Sequence, residues 1–496
     1  MSRSFEVVRR DKQRSFHPEG NQRAGKKRAR RAGKLATACD AGVEHIDRDS
    51  MSRRSGLGSS IIRDLRRRAD TEGRRVRRSM KKTIIASGVM LCTTLAFASD
   101  KQVSADATPT PSPPAPLMYL LDQAGIAKPL KDLGINLYGY IESGYFYDFS
   151  ASHNEDGPTF LGYNKFKNSF ILDNISLNLE RAVDPTKKQF DVGFRVEGLY
   201  GADAAFIHSN GMFDDQTGRN QWDLLQAWVD VTLPGLPMRV RAGKWIELAG
   251  FENYSANIYN AFGDPARNFY SHSYSFLYAE PGTQTGVLFT YVHSPKWTFE
   301  AGFTRGWNQS TRDANNALDF LGRIIWAPSD KTSVTFVMTE GPEFPIGVGP
   351  NLPRGDNSHW WTYLDLVVTH KITDELSAGI GIDFVNAPEI PGLSGGAKRW
   401  GAVDGYLSYA VDPHFTLNTR LEWYRDAASG FSVGIPVSAN FYAASFGVAI
   451  KPFPENAFLS HLLFRPEIRY DHSSKAVFDN GDKDQVMFSA DALFTF

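Results

Sequence analysis

The sequence predicts an all-β fold: a transmembrane antiparallel up-and-down β-barrel of about 16 strands, with short periplasmic turns and long outer loops, between residues 135 and 496. Three observations favour this fold. An export signal begins at Met80, short segments of alternating polarity fill the chain from Ile135 onward, and the connections between them are short and long in turn.

The first 79 residues are basic, with 23 Lys and Arg against 10 Asp and Glu. They show no apolar period that could build a core, which is typical of a disordered or untranslated segment. A basic arm that binds nucleic acid is the alternative, but such an arm would be chemically odd ahead of an export signal. We therefore expect residues 1–79 to be a mis-assigned upstream start and expect no nucleic-acid partner.

The segment that follows, residues 80–98, has the three parts of a Sec signal peptide. Two lysines follow Met80, residues 83–95 form an apolar run, and Ala96 and Ala98 form an A-x-A cleavage site. The apolar run is too short to span a bilayer. Because signal peptides work at or near a true N-terminus, we expect translation to start at Met80 and cleavage to follow Ala98.

Removal of residues 1–98 changes the charge and the cysteine content of the chain. The full chain has a formal net charge of +0, whereas the remainder holds 30 Lys and Arg against 45 Asp and Glu, a net charge of −15. Both cysteines are lost as well, since Cys39 lies upstream and Cys92 lies in the apolar run. A mature chain without disulfides is compatible with a barrel closed by backbone hydrogen bonds.

Residues 99–134 precede the first predicted strand. Residues 99–116 form a polar, Pro-rich linker. The segment LMYLLDQAGIAKPLKDLG then predicts one short amphipathic helix. This helix could plug the barrel or lie in the periplasm, and the sequence leaves both alternatives open.

The barrel itself is predicted from sixteen short segments, and no stretch of 18 apolar residues follows Ile135. The short connections are VDPTKK, PGLP, SP, PSDKT, KITDEL, VDPH and KPFPENAFLS, which are rich in residues that form turns. A barrel with both chain ends in the periplasm needs an even number of strands, with short connections at the periplasmic end and long ones at the outer end. A soluble β-sandwich has no such requirement. The predicted strands are 135–148, 168–181, 189–201, 222–233, 238–249, 284–293, 296–307, 317–327, 333–339, 360–369, 377–385, 399–410, 415–427, 441–450, 462–472 and 484–496.

Charged and apolar residues alternate along these strands with a period of two. In the third predicted strand Arg195 and Glu197 share the polar face, and in the thirteenth Arg420 and Glu422 do so. An ionised group that faces hydrocarbon at mid-membrane costs about 2–4 kcal/mol. We therefore expect these charges to face a hydrated interior.

Aromatic residues near the strand ends could form the interfacial girdles of a membrane barrel. The alternative for any single residue is that it is a packed aromatic. The candidates are Tyr138, Tyr140, Tyr145, Trp245, Trp297, Trp307, Trp326, Trp400 and Trp423.

The last predicted strand, QVMFSADALFTF, has one apolar face that includes Phe488, Phe494 and Phe496, with Asp491 on the other face. A terminal aromatic on the apolar face is typical of the closing strand of a bacterial outer-membrane barrel. The sequence predicts that these phenylalanines meet lipid or the periplasmic interface. Their terminal position also suggests an insertion signal that the barrel-assembly machinery reads.

Several phrases go beyond general barrel features. The most specific lie at Gly243–Glu252, Glu280–Gly286 and Arg465–Asp471. In chain order the phrases are LLQAWVDV, MRVRAGKWIELAGFE, YAEPGTQTGVLFTY, FEAGFTRGWNQSTRDANNALDF, TLNTRLEWYRD and FRPEIRYDHSSKAVFD. With these phrases the chain resembles the porin-2, OmpL-like family of Gram-negative β-barrel porins over nearly all of residues 135–496. The resemblance implies an outer-membrane barrel with a pore role and no particular solute.

The longest predicted connection, residues 250–283, is the third outer loop. Resemblance to general 16-stranded porins suggests that it folds inward and narrows the pore. The candidate pore-lining or constriction residues are Glu252, Asp264, Arg267 and Glu280 on this loop, and Arg195, Glu197, Arg239, Arg241, Arg323, Arg420, Glu422, Arg465, Glu467 and Arg469 on the wall.

Acids on the loop facing arginines on the wall would set a transverse field that governs selectivity. The alternative is that the arginines pair with acids of the interior and only hold the wall together. The net acidity of the mature chain predicts a mild preference for cations.

Other functional classes have weaker support in the sequence. GFSVG at Gly430–Gly434 matches G-x-S-x-G, and His272, His293, His370, His461 and His472 could supply a base, but the match lies in an outer loop without the strand-turn-helix context of a nucleophile elbow. The acidic segment Asp479–Asp484 could bind a divalent cation or be a solvated loop tip. We therefore expect no enzyme activity, no metal and no cofactor.

The sequence thus predicts an outer-membrane porin of a Gram-negative-type bacterium that allows passive diffusion of small hydrophilic solutes. The alternative is a non-conducting barrel that anchors or adheres through its outer loops. The expected partners are outer-membrane lipid and lipopolysaccharide, the barrel-assembly machinery, and small solutes or ions. A homotrimer is expected only by analogy with other 16-stranded porins.

N-terminal sequencing of the native protein tests the predicted start and cleavage sites. We expect the mature protein to begin at Ser99, because Ala96 and Ala98 form the cleavage site. A precursor trapped by blocking export should begin at Met80. A precursor that begins upstream of Met80 would contradict the predicted start.

Overall fold

The computed structural model describes residues 116–150, 161–164, 166–252, 268–313, 315–343, 357, 360–387, 398–428 and 431–496. The helices are α1 (Pro116–Gln123), α2 (Ala127–Asp132) and α3 (Tyr274–Tyr278). The strands are β1 (Ile135–Asp148), β2 (Ser169–Arg181), β3 (Asp191–Gly201), β4 (Gln221–Thr232), β5 (Met238–Ile246), β6 (Thr283–Ser294), β7 (Trp297–Thr304), β8 (Asp319–Ser329), β9 (Thr332–Pro342), β10 (Trp360–Lys371), β11 (Leu376–Ala387), β12 (Lys398–Ala410), β13 (Phe415–Asp426), β14 (Ala439–Ile450), β15 (Leu462–Phe464), β16 (Glu467–Ser473) and β17 (Asp484–Thr495).

The strands form one antiparallel sheet in which each strand pairs with its neighbours in sequence, except that β15 and β16 do not pair with each other. The sheet closes because β1 pairs with β17, from Tyr140 opposite Thr495 to Asp148 opposite Met487. β15 and β16 together occupy one position between β14 and β17. The barrel therefore has 16 strand positions, which confirms the predicted fold class.

The fifteenth position differs from the single strand that the sequence predicts at 462–472. The ladder is interrupted at Arg465 and Pro466, where proline has no N–H to donate. The carbonyl of Pro466 still accepts a hydrogen bond from the backbone of Val448 at 3.0 Å, and Arg465 donates its backbone N–H to Asp491 at 3.2 Å. The break leaves the pairing on both sides in place.

The connections are sorted between the two ends of the barrel. The short connections lie at the end of the barrel that also holds the start of β1 and the end of β17. They are residues 182–190, 233–237, 295–296, 330–331, 372–375, 411–414 and 451–461. In the first of these turns, the side chain of Asp184 accepts from the backbone N–H of Thr186 at 2.9 Å. The connections at the opposite end include the longest one, residues 247–282.

The two faces of the wall differ in polarity as the alternation predicts. In β2 the side chains of Ile175 and Leu177 point outward, with 39% and 51% of their surface exposed, whereas Ser176 is buried on the inside. In β17, Asp491 is buried and its neighbours on both sides are half-exposed. The outward placement of Phe488 and Phe494 is thereby confirmed.

The predicted girdle residues divide between the two faces. Trp326 and Trp423 point outward and are about two-fifths exposed. Tyr140, Trp245 and Trp400 are buried inside the barrel, so the girdle prediction is wrong for them. Position near a strand end does not decide the face, because the face depends on the parity of the residue in its strand.

Two short helices stand where the sequence predicts one. The chain turns at Gly125, whose φ of +73° separates α1 from α2. Both helices lie beside the start of β1: the backbone N–H of Leu137 points at the sulfur of Met118 at 3.4 Å, and Arg181 donates to the carbonyl of Leu133 at 3.0 Å. Within the described residues, no helix is long and apolar enough to cross a bilayer.

The closing strand provides a test of the insertion signal. Phe496 exchanges two backbone hydrogen bonds of 2.8 Å with Gly139, and its ring covers the Cα of that glycine. We expect deletion of Phe496 to lower the amount of barrel in the outer membrane, measured by quantitative immunoblotting of membrane fractions. Phe496→Tyr, which keeps the backbone pairing and an aromatic ring, is the matched control. Unchanged levels after deletion would leave Phe496 with a packing role only.

Candidate functional site

The predicted wall residues all face the barrel interior. They lie on β3 (Arg195, Glu197), β5 (Arg239, Arg241), β8 (Arg323), β13 (Arg420, Glu422), at the break before β16 (Arg465) and on β16 (Glu467, Arg469). Their inward orientation follows from strand parity, which keeps charge away from the apolar outer face. The loop residues Asp264 and Arg267, and the cleavage residues Ala96 and Ala98, lie outside the described residues.

The connection between β5 and β6, which we term the crossing loop (residues 247–282), enters the barrel. Its first arm, residues 247–252, turns inward directly after β5. The backbone N–H of Gly250 donates to Asp365 of β10 at 3.2 Å, and the ring of Phe251 stacks on Tyr406 of β12 at 3.7 Å between centroids. Glu252 then pairs with Arg420 of β13 at 2.6 Å. β13 is eight positions from β5 in a 16-position barrel, so the first arm spans the interior to the opposite wall.

The second arm, residues 268–282, returns across the interior and contacts other parts of the wall. The hydroxyl of Tyr270 donates to Asp173 of β2 at 2.9 Å. The backbone N–H of Ser271 donates to Glu467 of β16 at 3.3 Å. Asn268 and Asn418 of β13 bond at 2.9 Å. The two arms together reach strands on both sides of the barrel seam.

The short helix α3 forms the middle of the second arm. Its N-cap, Ser273, accepts from the backbone N–H of Phe276 at 3.2 Å, which satisfies one free donor of the first turn. The backbone N–H of Tyr274 donates to Glu422 at 2.8 Å, so a wall carboxylate satisfies another. The ring of Phe276 stacks on His272 at 4.1 Å. Helix α3 is thereby fixed by caps from both the loop and the wall.

An ionic network joins the crossing loop to β13 and β16. Arg420 lies between Glu252 and Glu422, at 2.6 and 2.7 Å, and Arg469 lies between Glu422 and Asp471, at 2.8 and 2.9 Å. All five side chains are at most 5% exposed. Each charge thus has an opposite neighbour, which is the condition under which buried ions are tolerated.

Both arginines of this network also hold the backbone of the crossing loop. Arg420 donates to the carbonyl of Ser271 at 2.8 Å, and Arg469 donates to the carbonyl of His272 at 3.0 Å. Their guanidinium groups lie over the rings of Phe269 and Tyr274, at 4.8 and 4.9 Å from the centroids. Only arginine offers enough donors to serve a carboxylate and a carbonyl at once while stacking on a ring.

The charge of Glu252 depends on this network. Burial alone would raise the pKa of the Glu252 carboxyl, but Arg420, His272 and the backbone N–H of Ser273 lower it to about 2. Glu252 is therefore ionised at neutral pH and is a fixed negative charge within the interior.

Glu280, at the other end of the crossing loop, has a carboxyl whose pKa is shifted in the opposite direction to that of Glu252. Its pKa is raised well above its ordinary value by burial and by the nearby carboxyls of Asp383, Asp365 and Glu247. Its carboxyl lies against Gly250, where a Cβ would come within 2.2 Å of Oε2, and Gly250 has a φ of +80°. The contact between the two arms thus requires glycine at this position, and the carboxyl next to it tends to be uncharged.

A second ionic group closes the seam of the barrel. Arg465 pairs with Glu142 of β1 at 2.7 Å and also with Asp491 of β17. The three residues are buried. Arg195 and Glu197 form a third group at 2.9 Å, where Gln226 and Ser176 also donate to Glu197 at 2.7 Å. These arginines thus pair with acids of the interior.

A fourth group lies on β4, β5, β7 and β8. Asp230 pairs with Arg241 at 2.9 Å and with Arg239 at 3.5 Å. Glu300 pairs with Arg239 at 3.5 Å and with Arg323 at 2.5 Å. This chain of five alternating charges, which we term the arginine row, touches the crossing loop where Arg323 donates to the carbonyl of Leu248 at 3.4 Å.

Sequence reasoning did not select, as site residues, the carboxylates that complete these groups (Glu142, Asp230, Glu300, Asp471 and Asp491) or the two that accept hydrogen bonds from the crossing loop (Asp365 and Asp383). Asp230 in QAWVDV and Glu300 in FEAGF lie on the polar face of their strands, so parity could have identified them. Their partners could not be identified in this way, since a partner depends on the register between strands.

The G-x-S-x-G match and the acidic segment Asp479–Asp484 are both bonded to neighbouring side chains of the barrel. Ser432 of the G-x-S-x-G match bonds to Asp426 and to the hydroxyl of Tyr424, both at 2.6 Å. Asp479 of the acidic segment pairs with Lys167 at 2.9 Å. Among the residues that the structure describes, no three His, Cys, Asp or Glu side chains form a group suited to a metal ion.

Comparisons with known proteins yield one family and several solved structures. The family described as "Putative beta-barrel porin-2, OmpL-like" matches residues 134–496. A comparison with curated proteins gives no match.

Similar solved structures include the outer membrane channel DcaP of Acinetobacter baumannii, with a TM-score of 0.49 and 11% identity over 73% of this chain and 97% of that chain. The anion-selective porin from Comamonas acidovorans has a TM-score of 0.48 and 9% identity over 73% of this chain and 99% of that chain. OprB of Pseudomonas putida has a TM-score of 0.47 and 12% identity over 76% of this chain and 97% of that chain.

The ion pair of Glu252 makes the stability of the barrel depend on pH in a defined range. A carboxyl whose pKa falls from 4.5 to about 2 on folding stabilises the folded state at pH values above about 5 and loses that contribution as the pH falls towards 2. We expect Glu252→Gln to lower the unfolding temperature at pH 7, by the equivalent of about 3 kcal/mol at most. The difference from wild type should shrink between pH 5 and pH 3.

The measurement is thermal unfolding of the refolded barrel in detergent, followed by circular dichroism across this pH range. Glu375→Gln, in the exposed turn after β10, removes the same charge without a buried partner and should behave as wild type. A pH-independent difference for Glu252→Gln would contradict the assignment of an ionised, paired Glu252.

Proposed function

The chain belongs to the putative beta-barrel porin-2, OmpL-like family, and we propose that it forms a water-filled passage for the passive diffusion of small hydrophilic solutes. It is a β-barrel porin of the Gram-negative outer membrane. The observation that carries the proposal is the combination of a closed 16-position barrel, an apolar outer face and a charged inner face. Charged side chains on the inner face of a membrane barrel are stable where water fills at least part of the interior.

We propose that the crossing loop sets the narrowest section of this passage. Its two arms contact the wall at β2, β10, β12, β13 and β16, and buried ion pairs fix the first arm at its far end. A loop held in this way has a defined position, so pore size and lining charge are properties of a rigid structure. Glu252 and Glu280 belong to the support of the loop in this proposal, because Glu252 is buried against Arg420 and the carboxyl of Glu280 lies against Gly250 of the other arm.

The wall residues then have two roles. Arg195, Arg420, Arg465 and Arg469 are buried with carboxylate partners, so we propose that they stabilise the wall and the crossing loop. Arg239, Arg241 and Arg323 keep part of their surface exposed, so we propose that they line the passage.

A specific observation favours the alternative of a non-conducting anchor. Inward-facing residues on β12–β14 and β17 are mostly buried, and an apolar cluster that includes Trp361, Trp400 and Tyr424 fills part of the interior. A barrel filled throughout would present only its outer loops. The two functions therefore differ in whether water crosses the barrel on the side of β5–β9.

The cellular setting is part of the proposal. We propose that the barrel-assembly machinery inserts the chain, that lipid and lipopolysaccharide surround it, and that it assembles as a trimer. The aromatic outer residues Trp326 and Trp423 are suited to the membrane interface. Ser432, bonded within its own loop, is proposed to have a structural role and not a catalytic one.

Single-channel recording of the refolded mature chain, residues 99–496, tests the porin function. We expect stepwise conductance in KCl and a reduction of conductance by polyethylene glycols small enough to enter the passage. Larger polymers should have no effect, which gives the size limit. A refolded barrel that inserts but never conducts would support the anchor, and a deletion strain with normal solute uptake but lost attachment would agree with it.

A further inference from the structure

The interior of the barrel is unevenly accessible to water. The charged residues of the first three ionic groups are at most 7% exposed, and they include Glu142, Arg195, Arg420, Arg469 and Asp491. On β5 and β8, the side chains of Arg239, Arg241 and Arg323 are 20%, 12% and 20% exposed. Among the four ionic groups, accessible side-chain surface is therefore concentrated at the arginine row.

Within the arginine row the positive groups are more accessible than the negative ones. The side chains of Asp230 and Glu300 are each 2% exposed, because the guanidinium groups and neighbouring strands cover them. Three arginines face two carboxylates, so the row carries a net charge of +1. A solute at this wall meets guanidinium groups first.

Arg239 retains donor capacity beyond its carboxylate partners. Its Nη atoms bond to Asp230, Glu300 and Thr290, while its Nε has no hydrogen-bond partner among the described residues. Arg241 is held differently, since its guanidinium lies 3.7 Å from the centre of the Trp228 ring.

The acids nearest to the crossing loop do not offset this charge at the accessible surface. Asp365, Asp383 and Asp404 are at most 5% exposed, and the first two accept hydrogen bonds from Gly250 and Ser275 of the loop. Glu280 lies near Asp383 and Asp365, and the raised pKa of its carboxyl keeps that group largely uncharged. The negative charges on this side are thus covered, whereas the positive ones are not.

We infer that the water path follows the wall formed by β5–β8 and that Arg239, Arg241 and Arg323 make it prefer small anions to cations. This inference rests on the proposed porin function and specifies its solute class. It is opposite in sign to the preference that the net charge of −15 predicts, because selectivity depends on the charge accessible at the narrow section and not on the total.

Reversal potentials in a KCl gradient across planar bilayers test the inference. We expect wild type to pass chloride more readily than potassium, and the double variant Arg239→Gln/Arg323→Gln to lower the chloride-to-potassium permeability ratio by at least roughly threefold, since it turns the net charge of the row from +1 to −1. Glu300→Gln should raise the ratio, because it removes a carboxylate and leaves all three arginines.

Arg425→Gln is the matched control. Arg425 lies on the outward face of β13, away from the arginine row, and its loss removes the same charge by the same substitution. It should leave the permeability ratio unchanged. The variant Arg239→Lys/Arg323→Lys conserves the charge but changes the shape of both side chains. It should keep the anion preference, which would show that the preference depends on charge.

The outcomes distinguish this inference from the proposed function. A wild-type barrel without conductance contradicts the porin function itself. A conducting barrel that prefers potassium, or one whose ratio is the same in wild type and in the glutamine variants, overturns the anion preference alone. If the double variant does not refold, opposite shifts in Arg323→Gln and Glu300→Gln support the inference, and the absence of both shifts overturns it.

Discussion

The interior of this barrel depends on the guanidinium group of Arg420. This single side chain pairs with Glu252 from the first arm of the crossing loop, bonds to the carbonyl of Ser271 from the second arm, and pairs with Glu422 on its own strand. It therefore joins three separate pieces of chain. Without it, the buried carboxylate of Glu252 would lose its arginine partner, a change that typically costs several kcal/mol.

The ionic groups alternate in sign, and two of them join elements that the β-ladder does not hold to each other. The first joins the crossing loop to the wall, and the second joins the break before β16 to β1 and β17. At this break Arg465 stands where Pro466 interrupts the ladder, and it pairs with Glu142 of β1 and Asp491 of β17. Charge thus supports the barrel at these two places, where backbone pairing is absent or interrupted.

Much of the fold could be predicted from the sequence because strand parity is a local property. The alternation in FTLNTRLEWY places Arg420 and Glu422 inside, and the same argument places Phe488 outside. The contact of Glu252 with Arg420 could not be predicted in this way, since the two residues are 168 positions apart and meet only because the loop crosses the interior. Trp245 and Trp400 were misplaced for a related reason: a tryptophan fits both an interface and a packed interior, and only its strand register decides.

The crossing loop also constrains the order in which the chain can fold. Its contacts with Asp365, Glu422 and Glu467 join residues 115, 148 and 196 positions apart, all with the loop on the N-terminal side. The loop is therefore synthesised before these partners, and its contact with Glu467 cannot form until β16 is in place. Contacts of such long sequence separation form slowly. Until β13 is present Glu252 lacks its partner Arg420, so the full set of loop contacts exists only in a barrel that already contains β13 and β16.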